Sequence, residues 1–139
     1  MQIYFSGAMS GGRGQAHLYP GIIAALQRHG TVLTEFVGDQ SVTRMGESAL
    51  TPEAIYRRDI GMVQSCDILV ADVTVPSFGV GVEIAAAGQL GKPVLALWQP
   101  EEGRRLSAMI AGDPNVTLAE YADLEGAAQA IEAFFARRG

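Results

Sequence analysis

Residues 67–73 read Asp-Ile-Leu-Val-Ala-Asp-Val, a continuous apolar run with acidic residues only near its ends. A run without a wet face fits a strand covered on both sides, as the central strands of parallel sheets are. The rest of the chain offers further strands and the cover. Gln2 to Ser6 is a short apolar, β-branched and aromatic run that stops at Gly7. After a glycine-rich loop, Leu18, Ile22 and Leu26 recur at helical spacing until His29-Gly30 supplies a C-terminal stop. Thr31 to Phe36 reads as the second strand, and the polar stretch from Gly38 to Ala49 has the length of a lid loop. Thr51-Pro52 gives an N-cap followed by proline in the first helical position, opening a helix that runs to about Ser65. Beyond the central strand come a loop from Thr74 to Gly79, a helix from Val80 to Leu90, and a fourth strand from Pro93 to Trp98. A short helix from Arg104 to Ala111, a fifth strand from Asn115 to Ala119, and a closing helix striped by Leu124, Ala128, Ile131 and Phe135 complete the pattern. Strict alternation of this kind predicts a doubly wound α/β domain of five parallel strands with helices on both faces, for which the order 2-1-3-4-5 is the expected arrangement.

In such a sheet ligands bind beyond the carboxyl ends of the strands, where strand order reverses. The loops after strands one and three flank that crevice, and several of the 17 glycines fall in them: Gly7, Gly11, Gly12 and Gly14 in the first, Gly79 and Gly81 in the second. Both loops open helices, whose free amides and positive partial charge suit a phosphate. Neither loop matches a nucleotide fingerprint, and the reading as plain βα turns stays open beside the phosphate reading.

Two carboxylates interrupt apolar stripes. Glu83 shares a helical face with Val80, Ala87 and Leu90 within the expected first turn, and Asp59 shares one with Ile55, Met62, Val63 and Cys66. Glu53, Arg57, Arg58 and Gln64 then fall on the wet side of that second helix. A buried carboxylate needs partners or a task. For Glu83 the structural alternative is helix-dipole stabilisation, and for Asp59 it is a bond to a backbone amide or to Tyr4. Two carboxylates in one crevice can open a glycosidic bond, with retention if they lie about 5 Å apart. Glu83 in a helix amide field is expected to favour its charged form, and a desolvated Asp59 to hold a proton. Tyr4 either bonds the nucleophile or is core.

Composition removes other classes. The 139 residues, 48% hydrophobic, supply an ample core for one domain. A formal charge of −5 argues against gripping nucleic acid polymers or anionic membranes, although a small anion can bind locally. Cys66 alone forms neither an intramolecular disulfide nor a thiolate cage, and no signal-like N-terminal segment is present, so a cytoplasmic protein is expected. His17 and His29 lack metal spacing. Arg104, Arg105, Ser107 and Met109 read on composition alone as a cationic, solvated helix start.

Taken in order, Ile3-Tyr4-Phe5-Ser6-Gly7 with Gly11-Gly12-Arg13, Thr31 to Glu35, Asp59, Ala71-Asp72-Val73-Thr74 with Pro76-Ser77, Gly79-Val80-Gly81-Val82-Glu83 and Leu106-Ser107-Ala108-Met109-Ile110 resemble the 2′-deoxynucleoside 5′-monophosphate N-glycosidases (Rcl proteins) of the nucleoside 2-deoxyribosyltransferase superfamily. The resemblance covers nearly the whole chain. It implies hydrolysis of deoxynucleoside monophosphates to free base and 2-deoxyribose 5-phosphate, without metal or cofactor. It assigns Glu83 as the nucleophile of a covalent glycosyl intermediate, Asp59 as the group assisting departure of the base, and Tyr4 as the residue orienting Glu83. Ser77 and Gly79 would take the phosphate with Ser107 from a second subunit, Met109 would also bind substrate, and the segment containing Gly7, Gly11, Gly12 and Arg13 would line the sugar and base. A homodimer follows. Ser10 and Phe36 stand where mammalian members carry arginine and histidine, and Phe36 either stacks on a base or packs in its strand. The rivals are a deoxyribosyltransferase, in which a second base replaces water, and a nucleotide-binding module without turnover.

Overall fold

The computed structural model describes residues 1–8, 13–38 and 50–138, with the backbone alone at 13, 14, 35 and 36. The strands are β1 (Gln2–Ser6), β2 (Thr31–Val32), β3 (Ile68–Asp72), β4 (Val94–Trp98) and β5 (Val116–Glu120). They form one sheet in the order β2-β1-β3-β4-β5, every pairing parallel. The helices are α1 (Arg13–Ala16), α2 (Tyr19–Gln27), α3 (Pro52–Ser65), α4 (Phe78–Gln89), α5 (Ala108–Ala111) and α6 (Leu124–Arg138).

Strand alternation divides the core into two layers. Ile3, Phe5, Ile68, Val70, Leu95 and Leu97 pack with residues of α2 and α6 such as Ile22, Leu26, Ile131 and Phe134. Tyr4, Leu69, Ala71, Val94 and Ala96 face the opposite way and pack with Val63 and Cys66 of the α3 end and Val80, Ile84 and Ala87 of α4. That alternation positions the site, because the even residues of β1 meet the α3–α4 layer. Among the described residues no helix is long and apolar enough to cross a membrane.

Several boundaries differ from the sequence reading. The helix after the first loop is two pieces, α1 and α2, with Pro20 in the first turn of the second. The second strand stops at Val32 rather than Phe36. Leu33 N still donates to Ile3 O at 2.8 Å, but the next rung is made by a side chain: Thr34 Oγ1 accepts from Phe5 N at 2.8 Å and donates to Phe5 O at 2.7 Å. With the edge of β1 satisfied by a hydroxyl, the backbone turns away into a 3-10 turn at Glu35–Gly38. Phe36 lies in that turn, and the lid-length loop lies outside the described residues from position 39 to 49. α4 begins at Phe78, two residues before the expected Val80, because Ser77 caps it by accepting from Val80 N at 3.3 Å. α5 is shorter than expected, and β5 is shifted one residue toward the C-terminus.

Candidate active site

Tyr4 and Ser6, two residues apart on β1, present their side chains to the same face of the sheet. Glu83 descends from α4 onto that face. The Tyr4 hydroxyl donates to Glu83 Oε2, and the Ser6 hydroxyl donates to Oε1 at 2.8 Å. Each carboxylate oxygen therefore has its own donor. Strand alternation alone could have paired Ser6 with Tyr4, and Ser6 is the functional candidate that the sequence reading passed over.

Glu83 is the sixth residue of α4 and not in its first turn, so the helix amides that favour negative charge lie too far back to govern it. Burial is the leading influence and pushes its carboxyl above the ordinary glutamate range. The two hydroxyls pull in the opposite direction, the Asp59 charge adds to the rise, and the Arg58 charge opposes it. The expectation of a Glu83 biased toward its charged form by the helix is corrected accordingly. Tyr4 is 2% exposed, and burial together with the Glu83 charge and bond drives its pKa upward, so it remains a donor at any working pH.

Asp59 projects from α3, and its surroundings are wetter than expected. Its side chain is 25% exposed and its Oδ1 accepts from Arg58 Nε at 2.8 Å. Adjacent residues on a helix do not ordinarily face each other, so the Arg58 side chain has bent from the expected wet side toward the site. Its charge reaches Tyr4 and Glu83 as well as Asp59. Arg57 behaves as read, pairing with Glu53 at 2.7 Å in solvent.

Of the residues expected to bind substrate, Gly7 closes the loop side of β1, where a Cβ would stand 2.6 Å from the Tyr19 ring, so close approach of that ring requires glycine. Ser77 and Gly79 stand at the start of α4, on the helix that carries Glu83. Ser107 begins α5, its Oγ accepting from Met109 N at 3.2 Å, and both residues are exposed. Their bonding is local to that helix start. Arg13 opens α1, with its side chain outside the description, and Gly11, Gly12 and Ser10 lie outside the described residues. Among the described residues no three His, Cys, Asp or Glu side chains are grouped as a metal ion would require.

The geometry can therefore supply an ionisable carboxylate held by two hydroxyls, a second carboxylate paired with a guanidinium, and a capped helix start on the same element. The model of the nucleoside 2-deoxyribosyltransferase family matches residues 3–116. A rat protein named 5-hydroxymethyl-dUMP N-hydrolase is 46% identical over 111 residues, covering 79% of this chain and 68% of its own. A Tetraodon nigroviridis protein of the same name is 45% identical over 116 residues, covering 83% and 82%. Among solved structures, a Clostridium botulinum CMP N-glycosidase aligns over 96% of this chain and 99% of its own with a TM-score of 0.69. At 20% identity that likeness concerns the fold.

Proposed function

The chain belongs to the nucleoside 2-deoxyribosyltransferase family, and from that premise we propose that it hydrolyses the N-glycosidic bond of 2′-deoxynucleoside 5′-monophosphates, releasing free base and 2-deoxyribose 5-phosphate. The names of its relatives support the substrate class. The observation that carries the chemistry is the Glu83 carboxylate with one hydroxyl on each oxygen, Tyr4 on one and Ser6 on the other.

The reaction is a double displacement. A Glu83 oxygen attacks C1′, the C1′–N bond breaks, and its electron pair leaves with the base. Asp59 assists that departure, a proton from solvent neutralises the released base, and the Asp59 carboxylate then takes a proton from the water that attacks C1′ and frees Glu83. The configuration at C1′ is retained. Tyr4 and Ser6 fix the carboxylate in the attacking geometry, so little freedom is lost on the way to the transition state.

The phosphate sits against Ser77 and Gly79 at the start of α4, where free amides favour an anion. Gly7, Gly11, Gly12 and Arg13 line the sugar and base. Ser107 reaches the site from a second copy of the chain. Support for that copy comes from Phe78, Val82 and Met109, which are 97%, 50% and 83% exposed. Phe78 and Val82 share one face of α4, and an apolar face of this kind marks an interaction surface.

Product analysis separates the alternatives. A deoxynucleoside monophosphate incubated alone should yield free base and sugar phosphate. If base is exchanged only when a second base is supplied, the protein is a transferase. If nucleotide binds and no base appears under either condition, it is a binding module.

A further inference from the structure

A second polar cluster lies at the carboxyl end of the sheet, unused by the chemistry above. Asp72 ends β3 and is 1% exposed. Its Oδ1 accepts from Thr74 N at 2.9 Å and its Oδ2 from the Tyr121 hydroxyl at 2.5 Å. That hydroxyl accepts in turn from Gln15 Nε2 at 2.6 Å. Thr74 extends the cluster outward: its Oγ1 accepts from Gln99 N at 2.9 Å and its carbonyl from Arg104 Nη1 at 3.5 Å. Gln15, Thr74 and Tyr121 are all buried.

Burying a carboxylate is costly, and apolar residues of similar volume would pack at least as well for stability alone. What the carboxylate supplies is directed attachment. Each acceptor oxygen receives its own donor from a different segment, Thr74 N on one and the Tyr121 hydroxyl on the other, whereas an asparagine would set an amide nitrogen, which cannot accept, in one of those places. The segments attached are those that carry the expected binding residues. Gln15 lies in α1, just after Arg13. Thr74 precedes Ser77 by three residues, and Arg104 precedes Ser107 by three. The other end of the first segment is held separately, by the Tyr19 hydroxyl donating to Ala8 O at 3.4 Å.

We propose that Asp72, with Tyr121 and Gln15, is a positioning residue that fastens the segments following β1 and β3 to one buried point and so keeps the sugar-phosphate site in register with Glu83. The proposal rests on the glycosidase reading and reaches the substrate only through those segments. Burial, with the Asp72 charge adding to it, pushes the Tyr121 and Tyr19 hydroxyls upward in pKa, which keeps both as donors.

The test compares Tyr121→Phe and Gln15→Ala, singly and together, in the full chain. KM for the deoxynucleoside monophosphate is expected to rise by about tenfold, with kcat within about threefold and the acid limb of its pH profile unmoved, because Tyr4, Ser6 and Glu83 are untouched. The double variant should be no worse than the worse single one, since both cut the same chain. The same loss should appear as a weaker Kd for the nucleotide in a Glu83→Gln background, which needs no turnover. Variants that melt earlier but keep KM and Kd would overturn the proposal, as would additive effects. Failure of the parent protein to release base would strike the glycosidase reading instead, leaving the Kd comparison to decide this one. Should Tyr121→Phe not fold, Gln15→Ala alone supplies the same readouts.

Discussion

The Tyr4 hydroxyl donates to Oε2 of Glu83 across 79 positions of sequence, from the second residue of the first strand's buried face to the second turn of the helix after β3. Two features make this bond one-directional. Tyr4 keeps its proton because burial and the neighbouring charge raise its pKa, and Glu83 gains acceptor capacity as it ionises. Tyr4→Phe removes the donor while keeping the ring in the core. Loss of a hydrogen bond to a charged group is worth about 1.5–3 kcal/mol, so kcat/KM should fall roughly ten- to hundredfold. Steady-state kinetics check this, and unchanged turnover would mean that the hydroxyl only fills space.

Arg58 acts on the same carboxylate through its charge. Its charge opposes the rise in the Glu83 pKa, so Arg58→Gln should lift that pKa further. A nucleophile works ionised, and its activity is lost as pH falls through its pKa. The acid limb of the rate profile should therefore move to higher pH in the variant, with the greatest loss of activity on the acid side. An unmoved limb would show that the guanidinium serves Asp59 orientation alone. Stability should change by less than about 1 kcal/mol, because the pair is partly solvated.

Glu83→Gln should be inactive and yet gain in relative stability as pH rises. The folded-state pKa of Glu83 lies above the ordinary 4.5, so above that value the folded chain holds a proton that the unfolded chain has released. Ionising the buried group costs folding free energy as pH climbs through that window. The melting-temperature difference, variant minus parent, should grow as pH rises above the ordinary carboxylate value and through the raised folded-state pKa. A difference that shrinks over the same range contradicts the burial argument.

The proposed sharing of Ser107 between subunits would have a stoichiometric signature. Mixed dimers of Glu83→Ala and Ser107→Ala chains contain one site with both defects and one with neither. Random reassortment should restore roughly a quarter of all sites. Activity that never exceeds the sum of the separate variants would place Ser107 outside the site.

Periodicity made much of this legible. The unbroken apolar run of β3 required cover on both faces, and the parallel, doubly wound sheet followed from the alternation around it, while the order 2-1-3-4-5 was one of the common arrangements that alternation allows. Glu83 and Asp59 stood out as acids on apolar stripes, and Tyr4 as a polar-tipped residue in a buried strand. Other features lay beyond local pattern. The early end of β2 came from Thr34 substituting its hydroxyl for a rung of the ladder, which a β-branched run cannot announce. Arg58 was assigned to solvent because neighbours on a helix diverge, whereas its long side chain bends back. The Asp72 cluster joins residues 49 and 106 positions apart, a distance over which periodicity carries no information. Burial likewise reversed the electrostatic expectation for Glu83, since depth below the surface is a property of the packed helices and not of their spacing.

The central claim is N-glycosidic hydrolysis at Glu83, and release of free base from 5-hydroxymethyl-dUMP tests it most directly when the parent and Glu83→Gln are followed side by side with the matching unphosphorylated nucleoside. The account predicts base and 2-deoxyribose 5-phosphate in equal amounts from the nucleotide with the parent protein, little from the nucleoside, and none above background with the variant. Base released equally well by Glu83→Gln, or no base released by the parent, would contradict it.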